Sequence, residues 1–371
     1  MDNRYPNFFE RIGVSRRQVQ QKLEQCFHTI FFDPAEKFYH DVGDDCGCME
    51  DTGNHDARTE GMSYGMMMCL QMDRQDLFDK LWRFARRYMY QSSGKYQGYF
   101  AWSVALDGRH NAEGPAPDGE EYFAMALLMA DARWGSGEGI LDYAGEARAI
   151  LRHAVHQHEM VPGGQPMWDP EHFYIRFVPE TLYTDPSYHL PHFYALFAEK
   201  ADVADRPFWK RAEEASRAYI ALSAHPETGM SPEYAEYDGI PRLMFKKPYA
   251  YYSDAYRVAM NIALDGLWFG KKEALSAIVT HLQDFFYQHY PEGDYLAYDL
   301  DGAPHPEPAM HPVAIDAVLA AASIVSDSPY RDHYLRRFWD MPLRQGGRRY
   351  YDNCLYFFCL LMLGGEYRIY R

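Results

Sequence analysis

The strongest constraint in this chain is an alternation. Helical segments that are apolar on one face only are followed, along nearly the whole sequence, by segments that are apolar all round. The one-sided segments run from Ser15 to Phe32, Gln75 to Tyr90, Leu141 to Gln157, Pro207 to Leu222, Glu273 to Gln288 and Tyr330 to Asp340. The enclosed ones run over Thr59 to Leu70, Glu120 to Ala130, Pro191 to Phe197, Asp254 to Trp268, Val313 to Ile324 and Asn353 to Leu363. A helix with no solvated face must be covered on every side. A closed double ring of helical hairpins does this, with outer helices shielding inner ones. The expected fold is therefore all-α, an (α/α)6 toroid with little strand. It forms one domain over residues 1–371, because no linker, low-complexity run or repeat divides the chain.

Loop lengths then distinguish the two ends of such a ring. Connections leaving enclosed helices are short, as from Gln71 to Arg74, whereas those entering them are long: Asp33 to Arg58, Gln91 to Pro117, His158 to Leu190 and Ser223 to Ser253. Long loops in a compact domain usually carry function. Here they carry rings expected at the surface: Tyr96, Tyr99, Trp102, Trp168, Tyr234, Tyr237 and Tyr249 to Tyr252.

Three carboxylates stand where a long loop enters an enclosed helix: Glu60, Asp118 and Asp254. Glu60 follows Thr59, a plausible N-cap, and is the one charge in an otherwise apolar helix whose glycines, Gly61 and Gly65, allow close approach of a neighbour. A first-turn carboxylate can simply complement the helix dipole, and Asp118 and Asp254 can be N-caps. In a toroid, however, all three share one rim, amid aromatic rings. Carboxylates with aromatic platforms, without a metal motif or a phosphate loop, suit glycosidic-bond cleavage, which needs a protonated acid and an ionised base or nucleophile. Desolvation or a neighbouring carboxylate such as Asp118 would have to raise the pKa of Glu60, while Arg257, one turn on, would keep Asp254 ionised.

Composition excludes other classes. A net charge of -16 disfavours nucleic acid and anionic membranes, and the 16% aromatic content exceeds what a core needs. No apolar run reaches the ~18 residues of a membrane span, and Met1 to Pro6 has no apolar leader region, so a cytoplasmic protein is expected. Cys26, Cys69, Cys354 and Cys359 fall in apolar helical patterns. Cys46 and Cys48, near Asp44, Asp45 and His55, lack a second zinc-spaced pair, so neither metal nor cofactor is expected.

The segments Thr59 to Met66, Ala116-Pro117-Asp118, Asp185-Pro186-Ser187-Tyr188, Ser253-Asp254-Ala255-Tyr256-Arg257 and the Tyr-rich last helix together resemble glycoside hydrolase family 8, in order and over nearly the whole chain. The resemblance implies an (α/α)6 barrel and an inverting β-1,4-glycanase. In it Glu60 is the general acid, Asp254 the general base, Asp118 holds the distorted sugar, and Tyr188 helps place the attacking water. Pro115 to Phe123 and Met310-His311-Pro312 look closest to the reducing-end xylose-releasing exo-oligoxylanases of that family, whereas more typical members have Thr and Asp in place of Pro117 and Glu120. That subgroup implies xylooligosaccharide as substrate and xylose as product, and Arg58, Tyr64, Trp102, Trp168, Arg257, His311 and Tyr351 are the candidate sugar-binding residues. An endo-acting xylanase or glucanase, a histidine-based sugar epimerase and a non-catalytic sugar-binding toroid remain alternatives. His153, His156 and His158 read as solvated; His189 and His192 could touch sugar or sit in the core; Asp299 to Gly302 reads as a turn rather than a calcium loop.

Overall fold

The computed structural model describes residues 5–371; Met1 to Arg4, part of the stretch read above for a leader, lie outside the described residues. Among the described residues are twelve α-helices: α1 (Arg16–Phe31), α2 (Thr59–Gln71), α3 (Gln75–Phe84), α4 (Pro117–Trp134), α5 (Tyr143–Met160), α6 (Pro191–Lys200), α7 (Arg206–Ser223), α8 (Arg257–Phe269), α9 (Glu273–His289), α10 (Pro312–Ala322), α11 (Arg331–Asp340) and α12 (Arg349–Gly364). The alternation has its expected cause. From Gly61 to Leu70 every residue of α2 is buried, and α12 is buried from Tyr350 to its end, while the odd-numbered helices keep a solvated face.

The even-numbered helices pack in a cycle: α2 on α4, α4 on α6, α6 on α8, α8 on α10, α10 on α12, and α12 back on α2. Odd-numbered helices flank them, α1 against α12, α3 against α2, α5 against α4, α7 against α6, and α9 and α11 against α10. Met62, Met66, Met67 and Met68 are fully buried inside this assembly, each contributing about 2 kcal/mol of transfer free energy. The two glycines of α2 serve different neighbours. A Cβ on Gly61 would run into the phenol of Tyr350 on α12, and one on Gly65 into Met49 and Leu81.

Little strand is present, as expected, but the sequence pattern did not locate it. The long loops carry eight short strands: β1 (Tyr39–Val42), β2 (Cys46–Asp51), β3 (Asp56–Arg58), β4 (Ser103–Val104), β5 (Tyr183–Thr184), β6 (Ala235–Glu236), β7 (Leu296–Tyr298) and β8 (Pro304–Pro308). β1 to β4 form one antiparallel sheet, β5 pairs with β6, and β7 pairs with β8. The loop entering α2 is thereby stitched to the loop entering α4, and the loop entering α6 to the loop entering α8. Strands of two to six residues are too short to show a period, which is why the pattern hid them. Cys46 and Cys48 are buried on β2, where burial pushes the Cys48 thiol up to about 12. Among the described residues no group of three or more His, Cys, Asp or Glu side chains is placed to hold a metal ion. No helix of the described residues is long and apolar enough to cross a membrane. Asp299 to Gly302 is the turn of the β7–β8 hairpin, with Asp301 accepting from the backbone N–H of Ala303 at 3.0 Å.

Candidate active site

Arg257, the first residue of α8, gathers the acidic residues of the rim. Its Nη1 lies 2.7 Å from Glu60 Oε2 and 3.2 Å from Asp118 Oδ2; its Nη2 lies 3.5 Å from both Asp185 Oδ2 and Asp254 Oδ1. Nε donates to Ser187 Oγ at 3.0 Å, and the side-chain amide of Asn261, one turn on, donates to the Ser187 carbonyl at 2.8 Å. Four carboxyl groups thus surround one guanidinium that is 3% exposed, in the low-dielectric setting where such interactions are strongest.

Local sequence explains each placement. Asp185 Oδ1 accepts from the Ser187 N–H at 2.7 Å, capping the 3-10 turn Pro186–Tyr188, so its other oxygen faces Arg257. Asp254 lies in a second 3-10 turn, Ser253–Tyr256, that precedes α8. Ser253 has φ +23°, a sparsely populated conformation for a residue with a Cβ, and its carbonyl accepts from the Tyr351 hydroxyl at 3.3 Å. The N-cap expectations fail at all three positions. Arg58 and Ala116 are the caps of α2 and α4, without side-chain cap bonds, so Thr59 is already helical and Asp118 follows Pro117 inside the first turn. Asp254 stands a full turn ahead of α8. Pairing of β3 with β4, not capping, sets the α2 entrance: Arg58 registers with Ser103, and the Thr59 N–H donates to the Trp102 carbonyl at 3.0 Å.

The carboxyl groups differ in environment. Glu60 is 16% exposed; burial, with repulsion from Asp118 and Asp254, outweighs Arg257 and the 2.8 Å bond from the Tyr350 hydroxyl, pushing its pKa up to about 7. Burial takes Asp118 to about 6 against the same arginine, and its Oδ1 has no hydrogen-bond partner. Asp185, with no exposed surface, is raised well above the usual range by burial. Asp254 is 28% exposed, the most accessible of the four. Glu120 and Glu121 are nearly fully enclosed and burial raises both strongly; Glu120 accepts from the Phe100 N–H and Glu121 from the Tyr194 hydroxyl, each at 3.0 Å.

Two cavities meet here. The larger, about 440 Å³, is lined by Trp102, Asp118, Phe177, Tyr188, Tyr234 and Phe245 among others; the smaller, about 170 Å³, by Asp51, Asn54, Met310, His311, Arg348 and Tyr351 among others. Arg58, Glu60 and Asp254 line both. Arg58 is held by Asp51 at 3.3 Å and Asp56 at 3.1 Å, with its guanidinium 5.2 Å from the Trp102 ring.

Of the sequence candidates, the structure brings Glu60, Asp118, Asp254, Tyr188, Arg58, Trp102, Arg257, His311 and Tyr351 to these cavities. Two do not reach them. Trp168 is 1% exposed and packs edge-on against Trp209 at 4.9 Å, because the loop that carries it folds back into the core. Tyr64 is equally buried, with its hydroxyl 3.4 Å beneath Arg257 Nη1. Tyr99 and Tyr251, expected at the surface, are also core residues. His189 is fully buried between Thr184 and Ser216, and His192 is buried as well; neither lines the cavities. His153 and His156 are half-buried, bonded to Gln157 at 2.7 Å and Asp205 at 2.8 Å rather than solvated; only His158 is exposed. Sequence reasoning missed Asp185, Tyr350, Phe177, Tyr234 and Phe245 as site residues; Asp185 carried a signal, an Asp-Pro turn, but Tyr350 had none beyond a Tyr-rich helix.

The sequence model described as glycosyl hydrolases family 8 matches residues 36–365. The chain is 50% identical to the reducing-end xylose-releasing exo-oligoxylanase Rex8A of Paenibacillus barcinonensis, over 99% of this chain and 97% of that protein. It is 49% identical to the reducing end xylose-releasing exo-oligoxylanase of Halalkalibacterium halodurans, over 98% of this chain and 94% of that one. The structure of Rex8A complexed with xylose is similar with a TM-score of 0.96 at 50% identity, covering 99% of this chain and 98% of that one. A mutant of Rex8A complexed with 3(3)-alpha-L-arabinofuranosyl-xylotetraose gives 0.97 over 100% and 97%. The matched span contains all four carboxylates around Arg257 and eleven of the twelve helices in full, and the chain belongs to glycosyl hydrolase family 8.

Proposed function

We propose that this protein is an inverting glycoside hydrolase that releases xylose from the reducing end of β-1,4-xylooligosaccharides. The observation that carries this reading is the pair of unequal cavities that share Arg58, Glu60 and Asp254. A chain threaded through both places its scissile bond at those shared residues, with the longer part of the chain on the larger side and far less room on the smaller. The names of the relatives at 50% and 49% identity support the same activity.

Glu60, protonated near neutral pH, gives its proton to the glycosidic oxygen as the C1–O bond breaks. Asp254 takes a proton from water, whose oxygen forms the new bond to C1 on the opposite face. Its greater exposure supports access of that water. Asp118, with one oxygen unpartnered, offers an acceptor to a sugar hydroxyl as the ring distorts, and Tyr188 beside it helps hold the water. The leaving xylose occupies the smaller cavity, closed by Met310 and His311 of the segment that enters α10. The β8 prolines in that segment lie on a two-stranded edge, where proline is tolerated and stiffens the backbone. The proposal includes an (α/α)6 barrel, supported by the closed cycle of even-numbered helices, formed as one catalytic domain over residues 1–371 and acting on oligosaccharides in the cytoplasm.

The test is incubation with xylotriose and with its borohydride-reduced form, following products by chromatography and the anomeric configuration by NMR. Xylose and xylobiose from xylotriose, with initial α-configuration at the new end, and poor turnover of the reduced form are expected. Ready hydrolysis of the reduced form points to an endo-acting enzyme, and a β-configured first product rules out inversion.

A further inference from the structure

Behind the closed end of the smaller cavity stands a buried ion cluster that the reaction scheme above does not use. His311 lines that cavity, and its Nδ1 lies 2.8 Å from Asp352 Oδ2 in the first turn of α12. Asp352 has no exposed surface. Its Oδ2 also accepts from Arg344 Nη1, and its Oδ1 accepts from the Ala314 N–H at 2.9 Å, in the first turn of α10. Arg344 Nη1 reaches in addition to the Met310 carbonyl at 2.6 Å. Asn353 clamps the backbone of Arg344 at both ends, accepting from its N–H at 2.8 Å and donating to its carbonyl at 3.0 Å.

These contacts leave few choices for the imidazole. Each oxygen of Asp352 already accepts from a fixed donor, Arg344 on one and the Ala314 N–H on the other, and an ionised carboxylate has no hydrogen to give, so Nδ1 carries the hydrogen. In the neutral form of such a ring the lone pair is on Nε2. Among the described residues Nε2 has no partner, while the Tyr351 ring 4.5 Å away fixes the plane of the imidazole.

We infer that Asp352, held by Arg344, is a positioning residue that fixes His311 in the Nδ1–H tautomer, so that Nε2 meets the leaving sugar as an acceptor and selects a hydroxyl donor. The inference rests on the smaller cavity being the leaving-group pocket. The donor that distinguishes a free reducing end is the anomeric hydroxyl, because the 2- and 3-hydroxyls of the terminal sugar are shared with every internal unit. Closure by Met310 and His311 limits what fits, whereas Asp352 sets which hydrogen-bonding group is accepted. A site built around one hydrogen bond discriminates strongly against a ligand that lacks the matching group, because the site's acceptor is left unpaired.

Two measurements test this on the full chain. Nitrogen-15 spectra of the histidine rings, read without substrate, should show His311 protonated on Nδ1 only at pH 7; Asp352→Asn, whose amide can donate to Nδ1, should move the hydrogen to Nε2. Turnover is then compared between xylotriose and an analogue whose reducing-end ring is 1,5-anhydroxylitol, which lacks only the anomeric hydroxyl. The intact enzyme should prefer xylotriose by about tenfold or more in kcat/KM, and Asp352→Asn should bring the ratio close to one. If that variant does not fold, Arg344→Met should lower the same ratio by roughly threefold or more. A protonated Nε2 in the intact protein, equal turnover of the two substrates by it, or an unchanged ratio in the variants overturns the inference. Failure of the proposed activity would appear separately, as absence of turnover with the ring spectrum as expected.

Discussion

Arg257 Nη1 lies 2.7 Å from Glu60 Oε2, and yet the carboxyl of Glu60 is held up to about 7. One cation shared among four carboxyl groups does not offset the loss of water around Glu60, which is why a residue at a positive helix N-terminus can hold a proton at neutral pH.

The first prediction is pH dependence. In the proposed mechanism Glu60 acts when protonated, so kcat/KM should fall about tenfold per pH unit above roughly 7. Stability moves in the same direction. The folded carboxyl keeps its proton to about 7, whereas the unfolded one releases it near its ordinary 4.5, so raising pH across that window favours the unfolded state. Glu60→Gln should therefore be the more stable protein at pH 8, by at most about 2–3 kcal/mol, and indistinguishable at pH 4. Urea titrations at the two pH values check the sign.

Acid and base should fail differently. Glu60→Ala should lose about a thousandfold on xylotriose but far less on a xylosyl fluoride, whose leaving group needs little protonation. Asp254→Ala should lose heavily on both, since water must be activated in either case. Equal losses across the two substrates would contradict the assigned roles.

Gly61 carries a prediction from packing. A methyl group there would displace the Tyr350 phenol that donates to Glu60 at 2.8 Å, and that bond lowers the Glu60 pKa. Gly61→Ala should shift the basic limb of the pH profile upward and cut kcat by about tenfold. Tyr350→Phe should reproduce the shift with little change in melting temperature.

The two tryptophans should separate cleanly. Trp168→Ala, at a core position, should cost about 3–5 kcal/mol of stability with KM nearly unchanged. Trp102→Ala, on the larger cavity, should raise KM for xylotriose several-fold with little loss of stability.

Removing Arg257 should be more damaging than removing any one carboxylate it contacts. Arg257→Met leaves buried carboxyl groups without their cation, a loss of about 3–5 kcal/mol, and should move the basic limb upward because the arginine lowers the Glu60 pKa. Chemical denaturation and the pH profile read the two effects.

The alternation of half-apolar and wholly apolar helices, the carboxylates at helix entrances and the long loops were all legible in the sequence, because a 3.6-residue period and lone charges in apolar runs are local properties of the chain. Glu60, Asp118 and Asp254 could be named for that reason. Their environments could not. Arg257, read as a partner for Asp254 alone, turned out to face four carboxyl groups contributed by α2, α4 and the turns before α6 and α8. Tyr350 lies two hundred and ninety residues from Glu60 and Asp352 forty-one from His311; the packing of α12 on α2 makes the first pair partners, and that of α12 on α10 the second. Trp102 and Trp168 look alike in sequence, each a ring in a long loop, and only the way those loops fold back sent one to the cavity and the other into the core. Periodicity reports which face of a segment is buried; which segments meet, and so which charges share one low-dielectric pocket, depends on long-range packing that no local pattern encodes.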